Sequence, residues 1–305
     1  MYLFLIYLWY DFEILEHMSN VNNRFNPDAD WNASVSNLLK NIYRCGDKSS
    51  WYDSVALAYD RTRPRYPAEI LTRMQQIVKL QPVKSVLEIG AGSGIATIEL
   101  AKLGASIVAL EPSKSACAIA RDKCNAYPNL EIVNTVFEDW DLKTRKFDVV
   151  VAATSFHWVA PEVRYIKTAE ALKDNGLLVL LWNTPPQPSL EIHQSLQDIY
   201  QTHAPELIKY EGHQDHQENI GKIAQAVIDS GYFQNLISDR TIISVSYAIE
   251  DYLTLLSTLS PYIRLESAQR EALFAGLRQK LQQLLGDRHQ IDLTYLSLLQ
   301  TVRKS

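Results

Sequence analysis

The chain has 305 residues, 47% hydrophobic and 21% charged, enough apolar material for a sizeable core in one large domain or two modest ones. Its formal net charge of -5 gives no basic footprint for nucleic acid. The three cysteines, Cys45, Cys117 and Cys124, are odd in number and lack metal spacing. Cys117 and Cys124 fall on one expected helix, about 10 Å apart by the helical rise, too far to bridge, so a reducing cytoplasm is expected.

Residues 1–10 are almost wholly apolar but too few to span a bilayer. No Lys or Arg precedes them, and Asp11, Glu13 and Glu16 stand where a signal peptide would carry small residues. Residues 19–37, rich in Asn, Ser and Asp, read as a tether. Residues 1–45 are therefore expected to be a poorly ordered extension without stable membrane insertion, Met18 being the better start; a weak membrane-surface anchor is the alternative. Residues 46–305 are expected to form the domain.

Residues 51–67 contain Tyr59, Asp60, Arg63, Pro64, Tyr66 and Pro67. By themselves they form a polar connector, Pro67 suiting the first turn of a helix. Residues 86–89 are the apolar run of a strand buried on both faces. Gly90, Gly92 and Gly94 follow at alternate positions, then a helical pattern over residues 95–103. Such a strand, turn and helix start aim unpaired backbone N–H groups at one point, a site for the anionic end of a nucleotide-like ligand. Glycine lets the ligand approach the backbone closely. The dinucleotide fingerprint G-x-G-x-x-G would put its third glycine where Ile95 stands; here it is Gly94, and Glu88 lies two residues before Gly90. Ser106–Leu110 is the next strand and leads to Glu111, about 20 residues beyond the first glycine, an offset that suits a grip on a ribose diol.

The E-x-G-x-G-x-G run from Glu88 to Gly94, with Glu111 after it, resembles motif I of the class I S-adenosylmethionine-dependent methyltransferases. The resemblance implies that Glu88 orients the methionine end, that Gly90, Ala91, Gly92 and Gly94 allow close approach, and that Glu111 and Pro112 meet the ribose. Residues 59–67 resemble the segment that covers the cofactor in many small-molecule members, which puts Tyr59 and Arg63 at the acceptor. Residues 112–115 cap a helix that runs to about residue 125, and Leu130–Val133 is a third strand. Phe137, Glu138, Asp139 and Trp140 are similar to the family's loop against the adenine. Many relatives have an Asp before that loop where Val136 stands here, so the adenine is expected to rest on the Phe137 backbone and apolar packing.

Phe147–Ala153 is a fourth buried strand, ending beside the cofactor at Ala153 and followed by Thr154, Ser155, Phe156, His157 and Trp158. The Phe-His-Trp triplet resembles a branch that includes trans-aconitate methyltransferase, and implies acceptor contacts from Phe156 and Trp158. His157 is either a base or acceptor contact, or a packing histidine between aromatics. A helix over residues 161–173 is closed by Asp174, Asn175 and Gly176, and residues 177–182 form a fifth strand. Asn183, Thr184, Pro185 and Pro186 resemble a DNA amino-methyltransferase signature but follow the fifth strand, not the fourth, and lack its aromatic; they read as a turn. Residues 187–235 form a polar helical insert, in which His213 and His216, with Asp215 between them, have no third ligand at the spacing of a known site and suggest a solvated loop rather than a metal. A strand over 240–247, helices over 249–259 and 266–285, and a last strand over 291–302 complete the chain.

The alternation of strands and helices predicts an α/β, Rossmann-like, doubly wound seven-stranded sheet, mostly parallel, with helical cap inserts. Its core is expected over about 67–183 plus 236–305, and its cap over about 187–235. The resemblance adds an antiparallel last strand. The expected function is S-adenosylmethionine-dependent methyl transfer to a small-molecule acceptor, O- or carboxyl-directed, without metal or nucleic acid, by a monomer or homodimer. A carboxylate acceptor needs no base; a hydroxyl or amine would, and His157 is the nearby candidate. A catalytically silent binding protein of the same fold is one alternative. The other, a nucleotide-dependent oxidoreductase, is disfavoured by Ile95.

Overall fold

The computed structural model describes residues 48–79 and 84–305; the expected extension over 1–45, with Cys45, lies outside them. Helix α1 (Lys48–Thr62) and α2 (Ala68–Val78) precede β1 (Ser85–Ile89), α3 (Thr97–Lys102), β2 (Ser106–Leu110), α4 (Lys114–Cys124), β3 (Leu130–Val133) and β4 (Phe147–Ala153). Next come α5 (Pro161–Ala171), β5 (Leu172–Asn183), α6 (Leu190–Ser195), α7 (Gln197–His203) and α8 (His213–Asp229). The chain ends with β6 (Phe233–Ala248), α9 (Ile249–Ser257), α10 (Ser260–Ile263), α11 (Ser267–Leu285) and β7 (Gln290–Lys304).

The seven strands form one sheet in the order β3-β2-β1-β4-β5-β7-β6. Strands β1 to β5 pair in parallel, and β7 runs antiparallel to both of its neighbours, as the resemblance implied. The chain winds outward from β1 in one direction through β2 and β3, then returns to place β4 on the other side of β1. The loops leaving β1 and β4 diverge there, which opens a crevice at the carboxyl ends of these strands.

Strict period-2 burial explains why the central strands read as continuous apolar runs. Val149 and Val151 pack with Ile70, Met74 and Val78 of α2 on one face. Val150 and Ala152 pack with Ile220, Ile223 and Val227 of α8 on the other. Each such side chain taken fully out of water contributes about 1.5–3 kcal/mol. A third cluster joins Leu196 and Tyr200 to Leu255, Leu273, Leu277 and Leu281, forming a helical layer beyond the sheet; the Tyr200 and Tyr262 hydroxyls pair within it at 2.8 Å.

Three boundaries differ from the sequence reading. The helix expected over 95–103 is confined to α3, because Gly94 sits at φ 81° and residues 92–96 are turns. Strand β6 begins at Phe233, well before residue 240, and pairs with β7 along nearly its whole length; its first residues include Gln234, Asn235, Ser238 and Asp239, whose polarity suits an exposed edge and hides the strand. Residues 187–235 divide between two layers: α6 and α7 join α9 to α11 in the helical layer, whereas α8 packs on the sheet.

Candidate active site

The turn after β1 is fixed by its neighbour strand. The Gly90 and Ala91 N–H groups donate to the Leu110 carbonyl at 2.9 and 3.0 Å. Gly90 takes φ 71°, and a Cβ there would lie 2.6 Å from the Ser155 Cβ, so no other residue fits. Gly92, at φ 56°, has no atom of the described residues within 4 Å of the place a Cβ would occupy. One glycine keeps two loops in contact and the other keeps a cradle open.

Two carboxyls flank this turn. Glu88 is fully buried, and neither of its oxygens has a hydrogen-bond partner among the described residues. Burial pushes its carboxyl up to about 8, against the opposing influence of the Thr97 hydroxyl. Glu111 accepts the Gly92 N–H at 2.7 Å on one oxygen and the Ser113 N–H at 2.8 Å on the other. Burial raises its pKa while these two bonds oppose the rise. Each of its oxygens keeps acceptor capacity beyond the one bond it makes.

Helix α1 is strapped across the same edge. Asp53 accepts from the Ser113 hydroxyl at 2.5 Å and the Ser115 N–H at 3.0 Å. Asp60 accepts from the Ser93 hydroxyl at 2.7 Å and from Lys123 Nζ at 2.5 Å. Burial works against ionisation of Asp60, but the Lys123 and Ser93 bonds win and hold its carboxyl below the usual range.

A cleft opens between the glycine turn and the segment that follows α1. Gly90, Ala91, Gly92 and Ser93 line one side, Tyr59, Arg63 and Tyr66 another, and Ala153, Thr154 and Asn183 the floor where β4 and β5 end. The Arg63 guanidinium lies 4.6 Å over the Tyr59 ring, and its Nε and one Nη donate to the Thr258 hydroxyl and carbonyl, both at 3.0 Å. The fork expected to face a carboxylate is thus engaged by the residue that ends α9. Tyr66 and Thr154 pair through their hydroxyls at 3.1 Å, and burial pushes the Tyr66 phenol well up. Asn183 donates its backbone N–H to the Thr154 hydroxyl at 3.2 Å, and its Nδ2 to the Pro64 and Arg65 carbonyls at 3.2 and 3.3 Å.

Of the residues expected at the site, Tyr59, Arg63, Gly90, Ala91, Gly92 and Ala153 line the cleft, with Gly94, Glu88 and Glu111 just behind the turn. The others lie off it. The His157 ring packs 5.3 Å from Trp158 and 5.6 Å from Trp182, and its carbonyl accepts from Arg164. Phe156 is fully buried, and Trp158 meets the Tyr52 ring edge-on at 6.0 Å. Phe137 is buried in the core, Glu138 accepts the Ala160 N–H at 2.8 Å before α5, and the Pro112 carbonyl accepts from Asn134. In the insert, His213 pairs with the Thr294 hydroxyl and His216 lies 3.6 Å from Glu211; no group of three metal-ligating side chains occurs among the described residues. Sequence reasoning missed Ser93, Tyr66, Thr154 and Asn183 as cleft residues. Only the tyrosine, inside the segment already singled out, left a usable signal.

Residues 86–176 match the family model of a methyltransferase domain, over the very strands and turn that build this edge. Residues 86–176 thus carry a methyltransferase domain, and the chain is similar to methyltransferases in sequence and in fold. An uncharacterized methyltransferase of Mycobacterium tuberculosis is 31% identical over 138 residues, 45% of this chain and 54% of that protein. Another, of Schizosaccharomyces pombe, is 25% identical over 221 residues, covering 72% and 82%. The chain thus spans about half the length of the first curated relatives it matches. A solved type II methyltransferase structure from Anaeromyxobacter dehalogenans shares the methyltransferase's fold at TM-score 0.56 and 18% identity, over 79% of this chain and 97% of that one. The matches reach the class and go no finer; the trans-aconitate branch remains an expectation drawn from the Phe-His-Trp triplet. No helix among the described residues is long and apolar enough to cross a membrane.

The residues present fit the class's cofactor. Glu88 offers two buried oxygens without a partner, Gly92 a cradle that a Cβ would fill, and Glu111 an acidic group beside it.

Proposed function

We propose that this methyltransferase moves the methyl group of S-adenosylmethionine to a small-molecule acceptor. The observation that carries the reading is the meeting of the orphaned Glu88 carboxyl, the open cradle at Gly92 and the Glu111 carboxyl on one sheet edge. When bound, the cofactor supplies an already activated methyl on a sulfonium. Glu88 would face its ammonium end, whose positive charge favours the ionised carboxyl that burial now disfavours. Glu111 would accept from the ribose hydroxyls with its spare lone pairs, and the Gly90 to Gly94 turn would let the cofactor approach the backbone.

The chain's own work is alignment and exclusion of water. Helix α1, held by Asp53 and Asp60, closes one side of the cleft, and Tyr59, Arg63 and Tyr66 bring the following segment to its mouth. No metal is needed for this chemistry. Carboxyl-directed transfer would rely on the N–H groups that Arg63 keeps beyond the two it gives to Thr258. Transfer to a hydroxyl lacks its base, since His157 packs between tryptophans.

Incubation with radiolabelled S-adenosylmethionine and a metabolite extract tests the reading. Label is expected in a small, extractable compound. Cofactor binding without any labelled product would favour the silent binding protein, and label confined to macromolecules would refute the small-molecule acceptor.

A further inference from the structure

The acceptor side of the cleft holds two local costs in direct contact. Thr154, a β-branched residue, takes φ 55°, a conformation that β-branched side chains rarely adopt and that clusters at functional sites. Its hydroxyl meets the backbone N–H of Asn183, whose side chain is the second cost. Asn183 is only 8% exposed. Its Nδ2 donates to two carbonyls, Pro64 and Arg65, and because carbonyls only accept, the orientation of the amide is fixed. Oδ1 is then the end left over: it is shielded from water and has no hydrogen-bond partner among the described residues. A buried amide oxygen left in this way carries its full desolvation cost, and the residue that bears it lines the cleft beside the glycine turn.

The composition of that lining narrows what could complete it. Among the described residues no histidine, lysine or carboxylate lines the cleft, and Arg63, the cation found there, gives its Nε and one Nη to Thr258. A hydroxyl acceptor would find no base among these residues, and Asn183 Oδ1, which only accepts, would turn a carboxylate away. An amine that arrives uncharged carries its own lone pair, so the base expected for it from the sequence is not required at the moment of attack. It needs an oxygen to take its N–H and so aim the lone pair.

We propose that Asn183 Oδ1 holds the N–H of an amine acceptor, reached by a small displacement of the segment over residues 63–66 that now packs on the amide, and that the product is the N-methyl amine. The proposal rests on methyl transfer as the function. In the step, the nitrogen lone pair forms a bond to the methyl carbon, and the carbon–sulfur bond breaks with its electron pair left on sulfur. The ammonium that results gives its proton to water, since an amide oxygen accepts a hydrogen bond and not the proton.

The test uses the full chain. The product labelled in a metabolite extract is identified by mass spectrometry, and the label is expected on nitrogen, stable to alkali; label on a carboxyl, lost as methanol in alkali, or on a hydroxyl oxygen overturns the proposal. The amine so identified then becomes the probe. Asn183→Ala should raise its KM about tenfold and weaken its binding about as much by calorimetry with S-adenosylhomocysteine present, with S-adenosylhomocysteine affinity itself within twofold. Tyr295→Phe is the control, because the Tyr295 hydroxyl also donates to the Arg65 carbonyl, at 3.1 Å, but does not line the cleft; it should leave amine binding unchanged. Equal losses in both variants would mean that Asn183 acts only by tethering the 63–66 segment, and would overturn the proposal. Should Asn183→Ala not fold, the labelled atom in the wild-type product still decides. Absence of any S-adenosylhomocysteine binding would instead overturn methyl transfer itself, and this proposal with it.

Discussion

The two ends of the cleft are built in opposite ways. The end proposed for the cofactor comes from one unbroken run, Glu88 to Gly94, and from Glu111 one strand away, where Ile89 and Leu110 are direct register partners. Its chemistry is mostly backbone: N–H groups, positive φ and the space left by a missing Cβ. The end proposed for the acceptor is assembled from the segment after α1, the end of β4, the end of β5 and the close of α9, and its contacts span long separations, 195 residues for Arg63 with Thr258 and 118 for Asn183 with Arg65. Backbone geometry at a single turn can be shared across a whole class of enzymes. Side chains that converge from four places can change one at a time, which suits the part of a site that must differ between acceptors.

Breaking the point where the two ends touch should have the largest effect. Gly90→Ala sets a Cβ 2.6 Å from the Ser155 Cβ at a positive φ, and overpacking of this kind costs about 1–3 kcal/mol, to which the strained φ adds. The denaturant midpoint is expected to fall at an unchanged slope, and cofactor binding to fall with it. An alanine variant of native stability would mean that the two loops are not in contact.

A smaller effect is expected from His157→Ala, which separates packing from catalysis at the acceptor end. Removing a half-buried ring from between Trp158 and Trp182 should cost about 1–2 kcal/mol of stability and leave cofactor affinity within twofold. Native stability together with the loss of an inflection near pH 6.5 in the wild-type rate profile would restore His157 as the base.

The effect that belongs to Glu88 is read from pH. Burial raises its folded-state pKa from 4.5 to about 8. The stability linked to this group is therefore fully present below about pH 4.5 and is lost as pH rises through 8. Wild type should lose stability across that window relative to Glu88→Gln, which lacks the titration. Parallel profiles for the two proteins in urea melts would show that Glu88 is ionised without cost.

The same contrast explains what could be read from the sequence. Strands β1, β2, β3 and β4 were legible because apolar runs bounded by turn residues must be buried on both faces, and Glu88, Gly90, Gly92, Gly94 and Glu111 because their spacing alone aligns them. The start of β6 was hidden because an edge strand with polar outward residues such as Gln234 and Ser238 shows no apolar period. Thr154 was not legible, since nothing in the sequence marks a threonine for φ 55°. Asn183 resembled a turn residue, and its role depends on the Pro64 and Arg65 carbonyls, which only the folded sheet brings to it. The Phe-His-Trp triplet drew attention for its chemistry, whereas in the structure its rings serve the core and its neighbours.

The central claim is that the turn after β1 and the acid after β2 form one cofactor site. Titration of S-adenosylhomocysteine into the full chain and into Glu111→Ala by calorimetry tests it most directly. One site per chain is expected, weakened about a hundredfold in the variant by the loss of two charge-assisted hydrogen bonds worth about 3 kcal/mol together, with far-ultraviolet circular dichroism unchanged. Native affinity in Glu111→Ala would contradict the account.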